Sequence, residues 1–113
     1  KAKTEAELRD ELYQKEIANP LKYLTDESTY RVNLAANTII EGSIYNNATM
    51  ATFKNIKLKV VFYSDTDYKL GDDILVVLKN VEPNSSIIFK EKITGWWSNV
   101  DHFTCTIISA ENY

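Results

Sequence analysis

Few residues in this chain could do chemistry, and their spacing decides which chemistry is available. His102 and Cys105 are the sole histidine and the sole cysteine, so together they are the one pair that could supply a thiol nucleophile and its base. They stand three apart in His102 to Ser109, a run whose alternation reads as a strand. An odd offset puts them on opposite faces, a poor geometry for a dyad. A buried cysteine otherwise serves as a small hydrophobe. A single cysteine excludes an intramolecular disulfide and a multi-cysteine metal site. A zinc ion held by one His and one Cys would need carboxylates for its other ligands, which structural zinc sites rarely use. No Gly-x-Ser-x-Gly elbow and no glycine-rich phosphate loop is present. No catalytic residue and no cofactor are therefore assigned.

Two stretches could bind rather than react. Asp65, Asp67, Asp72 and Asp73 could gather around calcium, a hard cation that takes several oxygens from a flexible loop. Their spacing lacks the distal glutamate of a calcium loop, and aspartates ahead of a strand also serve simply as turn formers. Trp96 and Trp97 follow Gly95 and precede Ser98-Asn99. On a strand only one indole could face a core, and on a loop both could be partly free. An exposed indole beside Tyr63 or Tyr68 would suit stacking on a sugar or anchoring a protein partner; the alternative is a plug for one end of the fold. Asn47-Ala48-Thr49 and Asn84-Ser85-Ser86 have the glycosylation pattern, which matters only in a eukaryotic secretory protein.

The elements that must position these residues follow from hydropathy pattern. The 113 residues, 44% hydrophobic and 26% charged, suit one globular domain. A net charge of −3, with lysines interspersed among carboxylates, argues against nucleic acid, which demands clustered cations. No stretch reaches the roughly 20 apolar residues of a spanning helix. The chain opens at Lys1 without Met, the expectation for a processed or excised product; an upstream signal or anchor would lie outside it.

Thr4 and Glu7 form a capping box, and a helix is expected from about Glu5 to Ala18, supported by Glu5–Arg9 and Glu11–Lys15 pairs. Its apolar stripe of Leu8, Leu12, Tyr13 and Ile17 is thin, so it needs a docking partner; Pro20 ends it. Residues 1–19 thus read as helix and linker, and 20–113 as a sandwich domain. Asp26 to Ser28 reads as a turn before a first strand at Tyr30, Val32 and Leu34. Thr38 to Ser64 carries two alternating runs, Ile40, Gly42 and Ile44, then Ile56, Leu58, Val60 and Phe62, which read as a hairpin-like pair with one face buried. Gly42 marks a bulge or a close backbone approach. Ser64 to Asp67 and Gly71 to Asp73 read as turns, followed by strands at Ile74 to Leu78, Ile87 to Ile93 and His102 to Ser109. About six short strands with turn signals about every 10 residues predict an all-β sandwich preceded by one N-terminal helix.

From Thr38 to about Ser109 the chain resembles the FxLYD group of immunoglobulin-like antiparallel sandwich domains, most closely its versions in envelope or lipoprotein-like proteins of Bacteroidetes-type bacteria. The resemblance rests on Gly42-x-Ile44-x-Asn46, on Asn55-x-x-Leu58-x-Val60-x-Phe62-Tyr63, and on Pro83 followed six residues later by Phe89. Val60 and Phe62 stand where the group's name motif has Phe and Leu, Ser64 replaces its Asp, and Asn84 replaces the Gly after Pro83. The resemblance implies an extracytoplasmic, non-enzymatic domain. Two functions follow as expectations: an envelope interaction or spacer domain with a protein or glycan partner, or a small module for carbohydrate or calcium. Membrane anchoring through an upstream segment and a homodimer through the N-terminal helix complete the expected partners.

Overall fold

The structure is a computed structural model that describes residues 2–32, 38–93 and 100–113, with backbone alone for 29–32 and 38. The order of elements is α1 (Glu5–Ala18), α2 (Pro20–Tyr23), β1 (Leu24–Val32), β2 (Thr38–Asn46), β3 (Phe53–Tyr63), β4 (Lys69–Val77), β5 (Ser85–Ile93) and β6 (His102–Asn112). Two antiparallel sheets, β1-β2-β5 and β4-β3-β6, form a sandwich. The fold is therefore all-β, preceded by an N-terminal helix.

The period-two apolar sets face one another between the sheets. Ile40, Ile44, Ile56, Leu58, Val60, Phe62 and Phe89 are all buried, joined by Phe53, Val77, Val81 and Ile93, while Lys57 and Lys59 stay exposed on the opposite side of β3. The expected pairing of the two runs needs correction. β2 and β3 lie in different sheets, with β2 between β1 and β5 and β3 between β4 and β6. Alternation tells a strand which face to bury but not which strand lies beside it, and these two runs meet across the core.

Two expected turns are strand. Asp26 to Ser28 belongs to β1, where Asp26 pairs with Ile44 and Ser28 with Gly42. Gly71 to Asp73 belongs to β4, opposite Phe62, Val61 and Val60. Both lie on edge strands, where one side of the backbone needs no ladder partner and polar residues are tolerated. Real left-handed positions occur at Asn55, Asp67 and Asn84. Asn55 sits where the β3–β6 register shifts between Lys54 and Lys57, a bulge, and its side-chain amide donates to Glu111 at 3.0 Å.

Gly42 is required by crowding. A Cβ there would stand 2.7 Å from the Ser28 Cα and closer still to the Glu27 carbonyl oxygen. These are backbone atoms of β1 that cannot step aside without moving the strand. Gly42→Ala is expected to destabilise the domain by about 1–3 kcal/mol through overpacking, as a lower urea midpoint at unchanged slope.

The helix begins as its capping box dictates, with the Glu7 N–H donating to Thr4 Oγ1 at 3.2 Å. Glu5 pairs with Arg9 at 2.5 Å, whereas Glu11 engages Lys3. Pro20 ends α1 and starts α2, where its fixed φ suits the first helical position. Leu8 and Leu12 are exposed, and only the last turns of α1 reach the sandwich, through half-buried Tyr13 and Ile17 and buried Glu16. The chain consequently measures 63 × 25 × 16 Å. Among the described residues no helix is long and apolar enough to cross a membrane.

Candidate functional site

The binding residues expected from sequence are best tested at the end of the β4-β3-β6 sheet, where β3 turns into β4 and β6 begins. Ser64 organises this turn. Its N–H donates to the Tyr68 carbonyl at 2.9 Å, its carbonyl accepts from the Asp67 N–H at 3.0 Å, and its hydroxyl accepts from the N–H groups of Thr66 and Tyr68. Asp67 adopts a φ of 62°, which an aspartate tolerates better than most residues.

Across the ladder, Tyr63 pairs with His102, and their rings stack at 5.2 Å with planes 13° apart. The Asp101 N–H donates to the Tyr63 carbonyl at 2.9 Å. Each imidazole nitrogen therefore faces one carboxylate, with Nε2 3.0 Å from Asp67 and Nδ1 3.0 Å from Asp101. The tautomer decides which nitrogen donates. The result is an aromatic platform flanked by two exposed carboxylates, and Tyr68 beside it is 71% exposed. Such a surface offers a ring face for stacking and acceptors for hydroxyl donors. Trp96 and Trp97, four residues or more before Asp101, lie outside the described residues.

The acidic stretch does not act as one group. Asp67 goes to His102, Asp72 pairs with Lys69 at 2.6 Å, and Asp73 accepts from the Ile74 N–H at 2.8 Å. Asp65 stands exposed in the turn. The hydrogen bond from Lys69 and its charge hold Asp72 below the usual carboxylate range. Among the described residues no three His, Cys, Asp or Glu side chains gather as a metal ion requires. Asp65, Asp67, Asp72 and Asp73 are thus divided between the turn and β4, and Asp67, Asp72 and Asp73 each engage a separate partner.

Cys105 and His102 stand on opposite faces of β6. Cys105 pairs with Val60 and His102 with Tyr63, so the thiol looks inward. It meets Asp26 and Ser28 of β1 across the sandwich. Burial is the main cause that pushes this thiol up to about 11, against a hydrogen bond with Ser28 and reinforced by Asp26. Burial likewise raises Asp26, against its hydrogen bond with Cys105. A protonated thiol donating to a half-buried carboxylate is a packing contact, since the thiolate is the nucleophilic form.

Sequence reasoning missed a different constellation. Glu16, 1% exposed, accepts at Oε2 from the Thr49 N–H (2.9 Å) and hydroxyl (2.8 Å), and at Oε1 from the Met50 and Ala51 N–H groups (both 2.9 Å). Three successive backbone amides thus form an anion nest, filled by the chain's own carboxylate. Buried Asn46 closes the same loop from below. Its amide donates to the carbonyls of Ala51 (2.8 Å) and Val81 (3.0 Å), and its oxygen accepts from the Ala48 N–H at 2.9 Å. One local signal pointed to Glu16: a carboxylate in the last turn of a helix opposes the macrodipole, so something outside the helix has to hold it there.

Compared with known proteins, the chain matches no family model, and neither a curated protein nor a solved structure matches it.

Proposed function

We propose that this chain is a non-enzymatic interaction or spacer domain of a bacterial cell envelope, in keeping with its resemblance to FxLYD-type sandwich domains. The observation that carries this reading is the elongated form, 63 Å along its main axis, in which Glu16 clips the helix to the sandwich and leaves Leu8 and Leu12 facing outward. An elongated domain with a helical end sets a distance and presents a surface. The test is localisation of a tagged copy in the source cells. Recovery in the envelope fraction, with the tag cleaved by protease added outside the cytoplasmic membrane, is expected. Recovery in the cytoplasm alone would overturn the envelope reading.

The second reading is a small carbohydrate-binding module, supported by the Tyr63–His102 stack with Asp67 and Asp101 around it. The residues proposed to contact the partner are then Tyr63 and Tyr68, together with Trp96 and Trp97 as the sequence suggests. Screening envelope glycans against the wild type, Tyr63→Ala, Trp96→Ala and Trp97→Ala decides it. An anchor residue should lose on the order of 2 kcal/mol or more on truncation, seen as a fall in affinity with an unchanged circular dichroism spectrum. Equal binding by all variants would place the binding surface elsewhere.

A further inference from the structure

β4 is an edge strand whose one ladder partner among the described residues is β3, and its second half is unusually apolar. Ile74, Val76 and Leu78 follow one another at period two on the outer side, 50%, 37% and 78% exposed. Natural edges are generally blunted by charge, proline or bulges; the first half of β4 has such devices in Lys69, Asp72, Asp73 and a register shift opposite Phe62 and Tyr63, whereas its second half carries three aliphatic side chains.

The backbone groups of this half point outward as well. The Ile74 N–H is taken by the adjacent Asp73 carboxylate at 2.8 Å, so it points away from β3. The alternation of an antiparallel ladder gives Val76 the same direction, and Leu78 continues it one step past the strand.

The geometry points to a second copy of this chain as the occupant, joined β4 to β4 in antiparallel fashion about a two-fold axis at Val76. That register sets Val76 against Val76, Ile74 against Leu78, and Asp73 against Lys79 of the other copy, each of the last two pairs occurring twice. Apolar groups then meet apolar groups and opposite charges meet, the favourable cross-strand combinations. The neighbouring registers are poorer. An axis at Leu75 sets Asp72 against Leu78 and Asp73 against Val77, and an axis at Ile74 sets Lys69 against Lys79.

Pairing joins two three-stranded sheets into one of six strands and is isologous, as a two-fold contact must be. In the single chain, Asp73 caps the Ile74 N–H and Lys79 Nζ donates to the Ile88 carbonyl at 2.6 Å. Both side chains exchange these local bonds for each other on pairing. Asp73 thus closes the edge of the monomer, and a single strand pair buries little area, so the association is reversible and concentration-dependent.

Sedimentation velocity across the micromolar to submillimolar range reads this directly. A monomer–dimer equilibrium is expected, weakened at least about tenfold by Val76→Lys, which sets like charges together at the axis. Leu78→Lys, at a position too exposed to threaten folding, should weaken it too. Asp73→Lys and Lys79→Asp should each weaken association, and the double exchange should restore it, the signature of this register. Leu8→Ala with Leu12→Ala should change nothing. A chain that stays monomeric throughout overturns the proposal. So does a dimer indifferent to both lysine variants, or one lost with the two helix leucines.

Discussion

Glu16→Ala is expected to lower the unfolding free energy by about 2–4 kcal/mol, a large effect for a residue on a mostly exposed helix, because it strips charge-assisted bonds from three amides at once. The Ala51 amide is buried and would be left without its acceptor, while those of Thr49 and Met50 are near enough to the surface for water to serve them. Glu16→Gln is the sharper variant. It keeps the volume but turns an amide NH2 toward donors, so part of the loss should persist.

The effect also has a pH signature. Burial raises the Glu16 carboxyl, but the bonds from Thr49, Met50 and Ala51 together outweigh it and bring it below its ordinary 4.5. Because the folded value lies below the unfolded one, the contribution is fully present above about 4.5 and is lost as pH falls through the folded value. The stability difference between wild type and Glu16→Gln should therefore be largest at neutral pH and shrink in acid. Urea denaturation at a series of pH values measures it, and a gap independent of pH would mean that the carboxylate's charge is not what holds the loop. Hydrogen exchange adds a local readout, since the amides of Thr49, Met50 and Ala51 should lose protection in the variant before those of β3.

Phe62→Ala should cost about 3–5 kcal/mol, the range for deleting a fully buried aromatic ring. Phe62 is 0% exposed and lies on the central strand β3, between Gly71 of β4 and Phe103 of β6. Neither neighbour can fill the space easily, because glycine has no side chain and Phe103 is fixed in its own ladder. A lower midpoint in chemical denaturation with the slope retained is the expected result. A loss under about 1 kcal/mol would mean that the site collapses around the smaller side chain.

Much of the architecture was legible in the residues. Alternation from Ile40 to Ile44 and from Ile56 to Phe62 identified the inward faces, because a pleated strand has two faces and one must leave water. The Thr4–Glu7 box and Pro20 marked both ends of α1, since helix-end hydrogen bonding and proline sterics are local effects. The split of His102 and Cys105 between opposite faces of β6 followed from the same period-two rule. Tyr63 and Tyr68 were picked out as candidate binding residues, but neither the stack of Tyr63 on His102 nor the Asp67 carboxylate at that ring could be read, since both partners lie 35 or more positions from His102.

By itself, then, the sequence determined the class of fold, the helix and its ends, and which side chains turn inward. Tertiary structure alone decided which strands are neighbours, that β2 and β3 sit in opposite sheets, that Asp26 to Ser28 and Gly71 to Asp73 extend as edge strands, and that Glu16 fills the amide nest at Thr49 to Ala51. The division has a physical cause. Burial faces and helix caps depend on residues within a few positions of one another, whereas the β2–β5 and β3–β6 pairings and the Glu16 contact join groups more than 30 positions apart through the path of the chain in space, on which no local spacing bears.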